Sequence, residues 1–276
     1  MTLPLPCLSS PTHFMVIGRS IDRVLDALKW PIGAFAVLML GPLCYATLRF
    51  AGRIWQHPWS LIWFVAGILA YAFAWRPFMR KWLKSDWMLT VEHELTHALF
   101  AVLTGHRVKS FQVTRKGGRV EVVGGSNWLI ALAPYFFPTA PLILLLFAIL
   151  MPLGTLLPWT GLFLGFSMAY HVRSTWTETH GAQTDFDQAG RWFTLAFLPS
   201  ANLCAIGLVA SFAVGGWDGM QQFTRDASTA IHWLVMLVPS ALSWPVEESP
   251  MLDPAPVPDP VATDPRVIGL ISVAAR

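Results

Sequence analysis

Apolar residues dominate long stretches of the chain, and polar residues fall mainly between them. A helix needs about 20 consecutive apolar residues to cross the hydrocarbon core of a bilayer. Stretches that reach or approach this length follow one another along the sequence: Pro31–Phe50, Trp59–Trp75, Trp87–Thr104, Trp128–Met151, Trp159–Val172, Trp192–Gly215 and, more weakly, Ile231–Trp244. The pattern predicts an all-α, multi-pass membrane protein with about five or six transmembrane helices.

One segment departs from the helical pattern. After Gly105, apolar and polar residues alternate with a period of two in Val108–Thr114 and again in Arg119–Val123. The turn-forming residues Lys116-Gly117-Gly118 separate the two stretches. Two alternating runs joined by a short glycine-containing loop are typical of a β-hairpin. The sequence therefore predicts a small β-hairpin directly after the helix Trp87–Thr104.

The two ends of the chain differ from its centre. Between Ile21 and Lys29, apolar residues recur at helical spacing among charged ones, which predicts an amphipathic helix on the membrane surface within residues 1–30. The stretch Pro245–Asp264 is acidic and rich in proline, and such composition is typical of disorder. Residues 245–276 are therefore predicted to be a disordered tail, and residues 31–244 a membrane-embedded domain.

Composition and charge support this division. The chain is 54% hydrophobic and only 13% charged, about half the charged fraction of a typical soluble domain. Its net charge of +3 is small, and basic residues flank the apolar segments, as at residues 76–84. This distribution fits the borders of membrane helices and argues against a nucleic-acid partner. By the positive-inside rule, the amino-terminal segment and the loop at 76–84 are expected on the cytoplasmic side.

Four ionisable groups interrupt the apolar segment Trp87–Thr104, in the stretch Val91–Phe100, VEHELTHALF. Within it, His93, Glu94 and His97 form the pattern HExxH. Residues four apart lie on one face of a helix, so both imidazoles can reach one metal ion while the glutamate addresses a water molecule. An ionisable group in the membrane interior costs roughly 2.5 kcal/mol or more. Metal chemistry explains why the chain keeps these groups.

Two other interpretations of nearby residues are weaker. The two histidines could instead pair with Glu92 and Glu94 in a purely structural polar cluster, but such a cluster has no need of this spacing. Glu92 itself is expected to have a structural role.

Ser167, four residues before His171, resembles a serine–histidine pair but lacks the glycine pattern of a nucleophile motif, so helix packing is expected there. The GxxxG spacing of Gly161 and Gly165 indicates a close helix contact.

The chain resembles the site-2 protease family of intramembrane zinc metallopeptidases. The resemblance rests on HExxH within a membrane segment, the hairpin after it, and further membrane helices. It is nearest to small bacterial members in which HELxH is followed by a glycine and a basic strand, here Thr104-Gly105-His106-Arg107-Val108, and it covers about residues 86–195. It implies that His93 and His97 bind zinc, that Glu94 is catalytic, and that the protein lies in the bacterial cytoplasmic membrane.

The third zinc ligand is less obvious from the sequence. Family members take it from an aspartate in an Asn-Pro and Leu-Asp-Gly context, which this chain lacks. We predict Asp185, because it stands in a short polar stretch, Gln183-Thr-Asp-Phe-Asp-Gln-Ala-Gly190, and zinc accepts carboxylate oxygen. His171 is the alternative ligand, or else it binds the substrate or a ligating carboxylate through a hydrogen bond.

These observations predict a zinc metalloendopeptidase with one Zn²⁺ ion that cleaves membrane proteins within or near the bilayer. Glu94 is expected to activate a zinc-bound water. The hairpin is expected either to bind the substrate as an edge strand or only to pack on the helices. One alternative is a membrane zinc protease that cuts soluble or loop peptides, with Glu178 as third ligand. Another is a membrane protein that binds or transports metal without catalysis.

Overall fold

The computed structural model describes residues 11–56, 58–75, 77–78, 81, 86–114, 117–150, 158–179 and 184–242. The chain divides into two compact units, Met1–Val235 and Met236–Arg276. The described part of the second unit, residues 236–242, is helical. The predicted tail at 245–276 lies outside the described residues. Within the described residues the protein is mostly helical with one two-stranded hairpin, as the sequence predicts.

Helix α1, Pro11–Gln56, is the first of the two longest helices. Its 46 residues extend about 69 Å at 1.5 Å per residue, more than twice the thickness of a hydrocarbon core. The charged positions between Ile21 and Lys29 and the apolar stretch from Pro31 onwards therefore belong to one continuous helix. Pro31 and Pro42 both lie inside it.

Helix α2, Ile62–Leu69, continues through a π-helical segment at Ala70–Trp75 and packs on a later helix, Pro158–Glu178. The contact is close because glycines face it. A Cβ atom at Gly67 would overlap the backbone of the later helix, and one at Gly165 would overlap the backbone at Phe64. The close contact that the GxxxG spacing predicts at Gly165 is therefore confirmed.

Helix α3, Asp86–Leu103, carries the HExxH residues and leads into the predicted hairpin. Strands β1, Arg107–Thr114, and β2, Gly117–Val123, pair antiparallel, from Arg107 with Val123 to Thr114 with Gly117. The pairing is irregular between Val108 and Ser110. The hairpin packs on α3, with Val108 and Val122 against the buried residues Phe100 and Ala101.

The apolar run Trp128–Met151 is not one straight helix. Helix α4, Trp128–Phe136, and helix α5, Thr139–Leu150, meet at an angle of 73°. The break falls at Phe137-Pro138, and residue 138 has no backbone N–H to continue the first helix. The bend turns α4 into the protein, where Trp128, Ala131 and Leu132 are buried against Phe193.

The remaining described helices are α6, Pro158–Glu178, α7, Thr184–Ala189, and α8, Arg191–Leu242. The 52 residues of α8 are two helices joined at Gly216, whose backbone is non-helical at φ 60°. The chain reverses there, because the ring of Phe223 contacts Gly207, whereas in a straight helix these residues would lie about 24 Å apart. Both arms of α8 contact α1. In the first arm, the Ser200 hydroxyl donates a hydrogen bond to the Ala36 carbonyl at 2.5 Å. In the second, Asp226 forms an ion pair with Arg53.

Fewer of the described helices are candidate membrane spans than the sequence predicts. Among the described residues, two helices are long and apolar enough to cross a bilayer, Val16–Gln56 and Arg191–Met236, and the bent pair α4 and α5 makes a third if it counts as one span. The expected five or six are therefore not found. The apolar helix that contains α2, Ile62–Phe73, is too short to cross a bilayer. Helices α3 and α6 contain polar residues that lower their mean hydropathy.

Candidate metal centre

Helix α3 brings the two histidines of HExxH together. His93 and His97 lie one turn apart on the same face, as residues four apart must. Their Nε2 atoms are 3.1 Å apart. Both side chains are nearly buried, 8% exposed for His93 and 12% for His97. Two imidazole nitrogens therefore point to one position.

A carboxylate completes the group. Asp185, in the first turn of α7, places Oδ2 3.6 Å from the Nε2 atom of His93 and 3.5 Å from that of His97. Donor atoms that each lie 2.0–2.1 Å from a tetrahedral zinc ion are about 3.4 Å apart. The observed triangle has this size, and two imidazoles with one carboxylate leave a fourth position open, as catalytic zinc sites require. In the described part of the chain, these three residues form the one cluster suited to a metal ion.

The ring of His97 is fixed from behind. Its Nδ1 atom lies 2.8 Å from the carbonyl oxygen of Ile130 on α4. A carbonyl only accepts hydrogen bonds, so Nδ1 carries the proton and donates it. The neutral imidazole then has its lone pair on Nε2, the atom that faces His93 and Asp185.

Tyr135 of α4 orients the carboxylate of Asp185. Its hydroxyl donates to Oδ2 of Asp185 at 2.9 Å, and the tyrosine side chain is fully buried. Burial by itself raises the pKa of the Asp185 carboxyl, but the neighbouring side chains of His93, His97 and Tyr135 outweigh burial, and the pKa lies well below its usual range. Asp185 is therefore held ionised and ready to bind a cation. Tyr135 is a site residue that the sequence does not reveal.

Replacing Tyr135 with phenylalanine should weaken metal binding without disturbing the fold. The Tyr135→Phe substitution removes only the hydroxyl that orients Asp185, and loss of such a contact lowers metal affinity by about 10- to 100-fold. Zinc affinity, measured by competition with a chelator, checks this. Tyr170→Phe is the matched control, because its hydroxyl donates to the Met88 carbonyl, away from the donor triangle. Equal zinc affinity in the Tyr135→Phe and wild-type proteins would contradict the role.

Glu94 lies beside the donor triangle and faces a cavity. The residue is 8% exposed, and the cavity of about 630 Å³ is also lined by His93, His97, Asp185 and residues of the hairpin. Strand β2 lies directly over the carboxylate, since a Cβ at Gly118 would overlap the Glu94 side chain. The cavity is therefore lined by the three donor residues, by Glu94 and by one strand of the hairpin.

Glu92, the other acid of the motif region, has structural contacts. Its Oε1 atom accepts a hydrogen bond from the backbone N–H of Ala140 at 3.3 Å, in the first turn of α5. A carboxylate there satisfies an unpaired helix N–H and favours the positive end of the helix dipole. Thr96, one turn along α3, also bonds the Thr139 hydroxyl at 2.7 Å. These contacts agree with the structural role expected for Glu92.

The other candidate residues lie elsewhere. His171 is 3% exposed, but it neither joins the donor cluster nor lines the cavity. Glu178 lines the cavity without joining the cluster. Asp187 is exposed and pairs with Arg191 at 2.7 Å. The hydroxyl of Ser167 donates to the Leu164 carbonyl within its own helix, as expected of a packing residue.

One comparison with known proteins gives a match that covers the HExxH segment. Residues 64–180 match the model of a protein family described as Peptidase M50B-like. The match includes α3, the hairpin, α4, α5 and all of α6, but ends before Asp185. Neither the curated proteins nor the solved structures contain a match to the chain. The resemblance to the site-2 protease family, drawn from the HExxH segment, is thus confirmed over residues 64–180, the part of the chain that matches the Peptidase M50B-like family model.

Proposed function

We propose that the protein is an intramembrane zinc metalloprotease that hydrolyses peptide bonds of membrane proteins within or near the bilayer. The observation that carries the proposal is the donor triangle of His93, His97 and Asp185, with Glu94 in the same cavity. The two imidazoles and the carboxylate would hold the ion. When bound, zinc supplies a Lewis acid that polarises the peptide carbonyl and lowers the pKa of water.

Glu94 supplies the proton transfers. Its carboxylate takes a proton from the attacking water and delivers it to the leaving amine as the peptide bond breaks. Glu94 is 8% exposed, and β2 lies against its carboxylate at Gly118, where a side chain would overlap it. Tyr135 and Ile130 hold Asp185 and His97 in place during these steps.

The hairpin offers a binding surface for the substrate. In the part of the chain that the structure describes, the sheet has two strands, so the edge of β2 away from β1 has backbone groups that can pair with another strand. Gly118, Val120 and Val122 of β2 line the cavity beside Glu94. A substrate helix must unwind before its peptide bonds are accessible, and the extended segment can then pair with this edge.

A substitution at Gly118 tests the role of the hairpin. Gly118→Ala should lower cleavage by about 10-fold or more while zinc stays bound, because the added methyl group collides with Glu94 and displaces either the base or the strand. Cleavage rate and zinc content measured on the same preparation check this. Gln112→Ala on the paired strand, where the side chain is exposed, is the control. Unchanged cleavage by Gly118→Ala would separate the hairpin from catalysis.

The structure also bears on the proposed orientation in the membrane. Asp22 of α1 contacts His106, at the start of the hairpin, and Asn127, just after it. The base of the hairpin, with Arg107, therefore lies at the same end of the protein as Arg19 and Arg23. By the positive-inside rule, we propose that this end, with the cavity beside it, is the cytoplasmic side of a multi-pass bacterial membrane protein.

Metal analysis and cleavage on one preparation test the proposed function. The full chain, purified in detergent, should contain about one zinc ion per chain. When co-expressed with a panel of single-span membrane proteins, it should cleave at least one in a zinc-dependent manner. Cleavage of soluble peptides alone would favour the alternative protease. Bound zinc without cleavage of any substrate would favour a metal-binding or transport protein.

A further inference from the structure

Helix α4 contains a proline at a position that matters for the metal centre. In an α-helix each carbonyl accepts a hydrogen bond from the N–H four residues later. The partner of the Ile130 carbonyl would be residue 134, which is proline and has no N–H. That carbonyl is therefore available, and it accepts the hydrogen bond from Nδ1 of His97 at 2.8 Å.

We propose that Pro134 is a positioning residue for metal binding, which acts by directing the Ile130 carbonyl to His97. The inference rests on the proposed zinc site. Proline is unfavourable inside a helix, and α4 retains it in a buried position. An alanine there would let the helix close its own hydrogen bond and align the carbonyl with the helix axis. His97 would then lose the partner that fixes its tautomer and ring orientation.

A second set of contacts fixes the start of the same helix. Asn127 is its N-cap, and its side-chain oxygen accepts a hydrogen bond from the Ile130 N–H at 3.0 Å. The amide nitrogen of Asn127 donates to Asp22 of α1 at 2.8 Å. The other carboxylate oxygen of Asp22 lies 3.1 Å from Nε2 of His106. Ile130 is therefore held on both sides, by the cap at its N–H and by His97 at its carbonyl.

Burial makes this connection specific. Asn127 and Ile130 are each 3% exposed, so water has little access to replace a lost partner. In such surroundings a misdirected carbonyl leaves the His97 N–H unsatisfied, which is costly. The chain of contacts runs from Asp22 through Asn127 and Ile130 to the metal ligand His97. The first turns of α1 are thereby linked to the geometry of the metal centre.

The test compares two substitutions of helical prolines in the full chain. Pro134→Ala should lower zinc affinity by about 10- to 100-fold, and should alter the absorption spectrum of the protein loaded with Co²⁺ in place of Zn²⁺. The melting temperature should stay the same or rise, since alanine favours a helix. Pro199→Ala makes the same change in α8, where residue 199 is exposed, and should alter neither metal property. A merely structural role for Pro134 would change the melting temperature without changing the Co²⁺ spectrum.

A second pair of variants covers the case in which Pro134→Ala does not fold. Asn127→Ala removes the cap and should lower zinc affinity. Asn127→Ser retains a cap acceptor and should restore most of it. Zinc affinity equal to that of the wild type in Pro134→Ala or, where that variant does not fold, in Asn127→Ala overturns the inference and leaves the metal site intact. If the wild-type protein itself binds no zinc, the proposed function fails, and this inference fails with it.

Discussion

Glu94→Gln is expected to reduce peptide-bond cleavage by about 10²- to 10⁴-fold, the usual contribution of a positioned general acid and base, while zinc remains bound. The substitution keeps the size of the side chain and removes its ability to take a proton. Glu94 is not one of the three donors that converge on one point, so the metal should not be lost. Cleavage of a co-expressed membrane substrate and zinc content of the purified variant are the two measurements.

The control for this prediction is a glutamate on the hairpin that does not line the cavity. Glu121 lies next to Lys109 and Arg119 at 3.5 and 3.6 Å, and such exposed pairs contribute little to stability. Glu121→Gln should therefore cleave at the rate of the wild-type protein. Near-normal cleavage by Glu94→Gln would remove the catalytic role, and loss of zinc from that variant would make Glu94 a ligand.

The sequence predicts the HExxH part of the site because its geometry is local. Once α3 is a helix, residues 93 and 97 must share a face, and no other part of the fold is needed to bring them together. The hairpin is equally local, because alternation and a glycine turn specify two adjacent strands. The structure contains both.

The rest of the site depends on tertiary contacts. Asp185 could be predicted only as one of several candidates, because its distance from the histidines depends on how α7 packs against α4. The contact of the Ile130 carbonyl with His97 cannot be predicted from residue 130 itself, because it involves a backbone atom. The sequence feature that indicates a free carbonyl is Pro134, four residues later in an otherwise helical run. Tyr135 has no distinctive pattern at all, since a tyrosine in an apolar helix usually reports packing.

The span count failed for a related reason. Hydropathy measures how apolar a stretch is, but not whether the chain runs straight through it. The break at Phe137-Pro138 divides one apolar run into two short helices. The segment Arg191–Met236 counts as one candidate span, although its two arms run antiparallel on either side of Gly216. The proline and the paired glycines Gly215-Gly216 were visible in the sequence, but only the packing shows how far the chain turns.

The assignment of the third ligand leads to the second large effect. Asp185→Ala should lose both zinc and proteolysis, because two histidines hold zinc poorly. Zinc sites bind with about 10–16 kcal/mol shared among four ligands, so loss of one ligand costs roughly 100-fold or more in affinity. Asp187→Ala is the matched control: the same change two residues on, at an exposed aspartate that pairs with Arg191. It should retain zinc and activity.

His171 is the alternative third ligand, and its substitution should have the opposite effect on zinc binding. Its imidazole is buried on α6 outside the donor cluster and the cavity lining, so His171→Ala should keep its zinc and lose at most part of its activity. Zinc content by elemental analysis and affinity by chelator competition should be measured for the Asp185, Asp187 and His171 variants together. If Asp185→Ala kept its zinc while His171→Ala lost it, the ligand role would pass to His171. Loss of zinc from Asp185→Ala alone, with Asp187→Ala unchanged, would establish Asp185 as the third ligand.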